Sequence, residues 1–213
     1  AAATELADAG VEVEAIPKDI VEPDAGRFLV DAAVARFGRL DILVGSAGGN
    51  RRKPFEDTSD EDWGEIMELN VMSHLRCARA AVPAMRESGG GAIVFVSSIF
   101  GREGGGKGLS IYNTTKSALI SAAKIMAMEL ASDGIRVNTV APGSIRFPGG
   151  SWDRRVKEQP EAMKAFVESN IPLGRFGTAK EVADVVAFLS SGRASLVTGA
   201  CLNVDGGQSK SLI

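Results

Sequence analysis

The sequence predicts one doubly wound α/β domain, a parallel sheet with helices on both faces, and three observations carry that prediction. Short apolar runs alternate with segments of helical period along the chain. The segments between the runs are long enough to cross over a sheet, which makes neighbouring strands parallel. Finally, 213 residues at 45 % apolar and 24 % charged can bury one core, and neither a linker nor an internal repeat divides them.

Each element follows from its own signal. The opening AAATELADAG has no Met and reads as the tail of a helix already under way. Alternation in residues 11–16 (VEVEAI) predicts a strand, and a helix follows over 24–37. The run 40–44 (LDILV) predicts a second strand. Residues 60–87 form a long helix opened by the Ser59 cap and the acids Asp60, Glu61 and Asp62. Met67, Val71, Leu75, Ala78, Val82 and Met85 recur along it every three or four positions. The strand 92–97 (AIVFVS) precedes a helix over 111–132, closed by Gly134, and the strand 135–140 (IRVNTV) comes next. A last helix after Ala179 leads to the strand 200–204 (ACLNV). The alternation breaks at 148–177, where Pro160, Pro172 and several glycines surround a helical piece carrying Trp152, Met163 and Phe166. A long excursion after a strand is expected to shape a substrate site or lid.

Composition narrows the functional classes. A net charge of −3, spread along the chain, argues against a nucleic-acid partner and for a small molecule. The longest uncharged stretch, from Ser88 to Gly101, falls short of the roughly 18 apolar residues of a membrane span. Cys77 and Cys201 are too few for a disulfide framework, His74 is the sole histidine, and no metal is expected. Without a signal peptide pattern, a reducing cytoplasm is the expected location. Gly101 to Lys107 (GREGGGK) fits a phosphate-loop pattern, but Gly108 stands where a Mg²⁺-binding hydroxyl is needed, so a plain loop is the better reading. A hydrolase triad is unsupported, because no serine lies in G-x-S-x-G and a helical His among core residues is usually structural.

The most informative spacing is that of Tyr112, the only tyrosine, with Lys116 four residues on. On a helix these share a face, and a cation within about 4–6 Å can lower an acid's pKa by about 1–3 units. The phenol then becomes a proton donor and acceptor for an alcohol oxygen. A surface pair is the plainer alternative for these two alone. Ser97 and Ser98 end the preceding strand on the carboxyl side of the sheet, where ligands bind. Asn70 sits in mid-helix among apolar neighbours and needs a partner if buried. Pro142 and Gly143 turn the chain over the same edge.

Asn70, Ser98, Tyr112 and Lys116, with Y-x-x-x-K intact, make the chain resemble the short-chain dehydrogenase/reductase family over essentially its whole length, most closely the bacterial 3-oxoacyl-carrier-protein reductase branch. The resemblance implies a Rossmann-like fold and an oxidoreductase passing hydride between NAD or NADP and a carbonyl or secondary alcohol. It makes Tyr112 the general acid/base and Ser98 the group that orients the carbonyl. Lys116 would lower the tyrosine pKa and hold the nicotinamide ribose, and Asn70 would support a proton relay. It places Asp19 and Ile20 at the adenine and aligns Gly45 to Gly48 (GSAG) with N-N-A-G, so that Ser46, Ala47 and Gly48 line the cofactor. Pro142, Gly143 and Ile145 do so through P-G-x-I. VDGG at 204–207 is the final strand and turn. The helices 60–87 and 111–132 resemble those that pair subunits into a tetramer or dimer, and Ala118, Ser121 and Ala122 would permit close approach.

Three departures stand out. Gly45 replaces an Asn that would brace the centre of the sheet, and Phe147 stands where many members have a Thr near the nicotinamide carboxamide. The first strand, the glycine-rich phosphate turn and the second strand have no counterpart. In a strand order of 3-2-1-4-5-6-7 this leaves residues 11–16 nothing to pair with, so an upstream segment of roughly 40–50 residues is expected, one βαβ unit in size. Without that unit, pyrophosphate binding lacks its helix N-terminus and cofactor affinity is expected to collapse. Trp152 and Phe166 favour apolar contact with substrate, while Arg154, Arg155 and Lys157 suit either an anionic carrier or a solvated face, the commoner case. The competing class is a non-catalytic, nucleotide-sensing or scaffold protein of the same fold, against which the intact Tyr112 and Lys116 argue.

Overall fold

The computed structural model describes residues 2–212. Four parallel strands form one sheet in the order β1 (Ile42–Gly45), β2 (Gly91–Val96), β3 (Ile135–Pro142) and β4 (Cys201–Val204). This is the neighbour sequence the resemblance implies for the last four strands. Helices α1 (Ala2–Asp8) and α2 (Ala25–Phe37) precede the sheet. Helices α3 (Asp60–Met67) and α4 (Ser73–Glu87) connect β1 to β2, and α5 (Ser110–Glu129) connects β2 to β3. Three helices, α6 (Ser151–Glu158), α7 (Pro160–Asn170) and α8 (Ala179–Ser190), lie between β3 and β4.

Strand alternation sorts the core into two layers. Ile93 and Phe95 of β2 and Ile135 and Val137 of β3 meet Ala78, Ala81 and Met85 of α4 and Leu119, Ala123 and Ala127 of α5 on one face. Val94 and Val140 point the other way, onto Leu189, Val182, Val185 and Val186 of α8. Phe95 and Met85 are fully enclosed; truncating a ring such as that of Phe95 to Ala costs about 3–5 kcal/mol.

Helix starts follow their caps. Ser59 Oγ accepts from Asp62 N while Asp62 Oδ2 accepts from Ser59 N, a closed capping box at α3. Asp62 is buried and also receives Arg51 Nη1 at 2.8 Å and Lys53 Nζ at 2.6 Å, which ties the segment after β1 to the helix. Thr178 and Glu181 repeat the box at α8.

One expected strand is absent. Residues 11–16 take no ladder partner among the described residues, and Val11 is exposed. Period-two alternation makes a strand only where a neighbour accepts its backbone groups. Within the described residues β1 is the sheet's edge, with Ile42 and Val44 exposed. The helical opening is observed in α1. The helix expected over 60–87 is continuous but passes through a π-helical turn, Glu68–Met72, between α3 and α4.

Candidate active site

Because all four strands are parallel, their carboxyl ends share one edge of the sheet, and the loops that leave them converge there. The loop 46–49 follows β1, Ser97 and Ser98 follow β2, and Gly143 to Ile145 follow β3. Asn70 approaches from the π-helical turn, a distortion that occurs often at functional sites.

Asn70 is fully buried and satisfied. Its Oδ1 accepts from Gly49 N at 2.8 Å; its Nδ2 donates to Gly49 O at 2.9 Å and to Thr115 Oγ1 at 3.0 Å. Thr115 Oγ1 in turn donates to Tyr112 O at 3.0 Å, so one amide links the loop after β1 to the helix carrying Tyr112 and Lys116. The two serines divide their work. Ser97 Oγ donates to Lys116 O at 3.0 Å and anchors α5, whereas Ser98 Oγ accepts from Phe100 N and interacts with the Tyr112 hydroxyl.

Lys116 lies on the same face of α5 as Tyr112, with its ammonium 5.8 Å from the phenol ring centroid. It is buried and donates to Val96 O at 3.0 Å. Burial lowers its pKa to about 8. The expected effect of Lys116 on the phenol is not what the geometry delivers. Burial raises the Tyr112 pKa above its ordinary 10, and the opposing influence is the Ser98 hydroxyl. The ammonium sits over the ring, bonded to a strand carbonyl, and its own charge is opposed by desolvation.

The remaining expected residues fall into two groups. Gly48 belongs to the cluster, since a Cβ built there would stand 3.2 Å from Asn70 Oδ1 and 3.3 Å from Lys116 Nζ. Ser46 and Ala47 precede it, and Ala47 O is 2.8 Å from His74 Nε2. Pro142 pairs with Val204 at the end of β3, Ser144 N donates to Gln208 Oε1, and Ile145 bridges to Gly177. Asp19 and Ile20 are apart from these. The Asp19 carboxylate accepts from Val21 N in its own turn, and no hydrogen bond, ion pair or ring contact among the described residues joins either residue to the four central side chains.

The excursion is a folded unit of its own. Trp152 stacks on Phe166 at 4.9 Å and meets Phe176 at 5.3 Å, so these rings contact one another. Arg155 lies over Trp152, Arg154 donates to Gly149 O, and Lys157 pairs with buried Asp153, which Arg146 also reaches. Phe147, half exposed, packs over Gly150. A cavity of about 710 Å³ between Phe147, Met163, Val167 and Phe176 includes none of Asn70, Ser98, Tyr112 and Lys116 in its walls.

Sequence reasoning passed over Thr115 and Glu103. Glu103 Oε2 accepts from Ser209 Oγ, Lys210 N and Ser211 N, holding the segment after β4 against the loop that follows Ser98. No local pattern announces a contact between positions so far apart. The GREGGGK segment is a plain loop, packed through Gly105 against Asn113, with Lys107 O accepting from Arg52.

Comparison with known proteins agrees with this fold. The family model described as enoyl-(acyl carrier protein) reductase matches residues 1–209. The chain is 36 % identical over 189 residues to a 3-oxoacyl-acyl-carrier-protein reductase of Thermotoga maritima, covering 89 % of this chain and 74 % of that one. Among solved structures, L-sorbose reductase from Gluconobacter frateurii, complexed with NADPH and L-sorbose, superposes with a TM-score of 0.92 at 34 % identity, covering 99 % of this chain and 82 % of that one. A 7α-hydroxysteroid dehydrogenase complexed with NADH and 7-oxo glycochenodeoxycholic acid gives 0.88 at 30 %, covering 99 % and 80 %.

Proposed function

The chain belongs to the short-chain dehydrogenase/reductase family, and from that premise we propose that it interconverts a carbonyl and a secondary alcohol with NAD or NADP, using Tyr112 as general acid/base. The observation that carries this reading is the convergence at the carboxyl edge of the sheet: Ser98 follows β2, Tyr112 and Lys116 share one face of α5, and Asn70 is tied through Thr115 to Tyr112.

The residues present suit a nicotinamide ribose. Lys116 spends one donor on Val96 O and has two more, beside a loop where Gly48 brings backbone close to the ammonium. A buried cationic donor next to backbone without a Cβ matches a diol. Lys116 would hold the ribose, with Ser46, Ala47 and Gly48 along the cofactor, Pro142, Gly143 and Ile145 at the nicotinamide, and Asp19 and Ile20 at the adenine. When bound, the cofactor supplies or accepts the hydride.

The chain's own part is orientation and proton transfer. A substrate carbonyl oxygen accepts hydrogen bonds from both Ser98 Oγ and Tyr112 Oη, which polarises the carbonyl and fixes the exposed face of its carbon. As negative charge develops on that oxygen, Tyr112 gives up its proton, and the raised phenol pKa keeps that proton in place at neutral pH. In the reverse direction the phenolate takes the alcohol proton. Asn70 holds the loop 46–49 at Gly49 while this occurs. The excursion at 148–177 would close over the substrate.

Absorbance at the nicotinamide band, followed with NADH and NADPH against a panel of ketones and alcohols, tests the proposal. Turnover with at least one pairing is expected, and its absence with every pairing would favour a scaffold or sensor. We also propose that α3–α4 and α5 pair subunits into a tetramer or dimer. Ile125 and Met128 stand exposed on α5, and light scattering in solution reads the outcome directly.

A further inference from the structure

We propose that His74 is a positioning residue for the loop 46–49, bracing from α4 what no side chain at Gly45 can brace. The geometry stands without the proposed function; only its consequence for cofactor binding rests on that reading.

Gly45 is buried at the last position of β1, and the space its side chain would occupy is already filled. A Cβ built there would lie 2.5 Å from His74 Nδ1 and 2.7 Å from Phe95 Cδ1. The imidazole is tilted against Phe95, with ring centroids 5.7 Å apart. Its other nitrogen, Nε2, is 2.8 Å from Ala47 O. A carbonyl can only accept, so Nε2 carries the hydrogen. Burial lowers the pKa of the ring, and Lys116 adds to that against the pull of Ala47 O, which keeps the ring neutral. Nδ1 is therefore bare where it faces Gly45, and no hydrogen is forced into that contact.

The loop is thus gripped twice from one helix. Asn70 holds Gly49 through both of its backbone polar groups, and His74, four residues later, holds Ala47. Gly48 lies between the two grips, against Lys116 Nζ and Asn70 Oδ1. Gly45 and His74 form a matched pair, with bulk removed from the strand end and supplied by the helix. A ring that merely filled core volume would not place a donor on Ala47 O.

Because His74 is the only histidine, its ¹⁵N imidazole resonances are unambiguous in the wild-type protein. A neutral ring carrying hydrogen on Nε2 is expected at pH 7; the Nδ1–H tautomer or a charged ring would overturn the proposal. Two variants separate bracing from filling: His74→Leu keeps apolar volume without a donor, and His74→Gln keeps a donor that reaches Ala47 O. In cofactor-free protein, amide hydrogen exchange of residues 46–49 is expected to speed up about tenfold or more in His74→Leu and to stay within about threefold of wild type in His74→Gln. NADH and NADPH dissociation constants should rise and recover in parallel. Leu and Gln variants that behave alike would overturn the proposal, and so would a Leu variant that matches wild type. If Leu at 74 prevents folding, the wild-type tautomer and the Gln exchange rates decide. Failure of the wild type to bind either nucleotide would refute the proposed function and leave the exchange test of the loop intact.

Discussion

Lys116 Nζ donates to the carbonyl oxygen of Val96, the last residue of β2, across 3.0 Å. This bond anchors the ammonium to the sheet, with the phenol ring centroid 5.8 Å away, so the cation is in place for a ligand while burial opposes its charge.

The first prediction follows from that opposition. The folded-state pKa of Lys116 is about 8, below its ordinary 10.5. Below pH 8 both folded and unfolded chains hold the proton, and the folded state bears the whole penalty of the buried charge. Between pH 8 and 10.5 the unfolded chain alone holds it, so this residue's contribution makes stability rise with pH. Comparing wild type with Lys116→Met by thermal denaturation, the difference in Tm should shift towards wild type across pH 8 to 10.5 and stay flat from pH 6 to 7.5. A constant difference over the full range would contradict a buried cation.

Tyr112 has a raised pKa, so it is a ready acid at neutral pH and a base only in alkaline solution. Below that pKa the phenolate fraction grows about tenfold per pH unit, so kcat/KM for alcohol oxidation is expected to climb from pH 7 to 9 while carbonyl reduction stays level. Tyr112→Phe should lose about 10²–10⁴-fold in turnover with cofactor affinity retained. Ser98→Ala removes the hydroxyl that opposes the burial-raised phenol pKa and should move the alkaline limb to higher pH, with kcat lower by about 10²-fold. Rate profiles of the three proteins check all of these.

Asn70→Ala takes the partner from Gly49 N and Gly49 O and removes one of the two bonds of Thr115 Oγ1, which keeps its bond to Tyr112 O. Leaving a buried polar group unpaired costs about 1–3 kcal/mol, so denaturant unfolding should show a loss of about 2–4 kcal/mol. Asn70→Asp keeps the acceptor for Gly49 N but loses both donors, and is expected to fall between wild type and Ala.

Glu103→Ala should release the segment after β4, because the carboxylate gathers Ser209 Oγ, Lys210 N and Ser211 N at 2.9–3.1 Å. Limited proteolysis within residues 208–212 should accelerate, while the bond from Asn113 Nδ2 to the backbone carbonyl of residue 103, beside Tyr112, should persist, so kcat is expected to stay close to wild type. Unchanged cleavage would show that Gln208 and Asp205 secure the segment without it.

Much of this molecule was legible from spacing alone. Short apolar runs located the four observed strands, and a recurrence every three or four positions the long helix between the first two, because a strand buried on both faces is apolar throughout and side-chain direction along a helix repeats whatever surrounds it. The four-residue step from Tyr112 to Lys116 put both on one face for the same reason. Residues 11–16 show the limit of that logic, since alternation specifies which side chains share a face but not whether a neighbouring strand is there to receive the backbone.

What the linear order could not supply was everything that depends on two distant segments meeting. It read Gly45 as a lost brace, whereas the fold sets the His74 ring against it and bonds that ring to Ala47. It assigned Lys116 to the phenol, whereas packing lays the ammonium on Val96 O and leaves Ser98 as the group that counters burial at Tyr112. Local dihedral preference and hydrophobic period act over a few residues and so are written in the chain. Close packing and desolvation act between residues tens of positions apart, and they exist only once the helices have closed on the sheet.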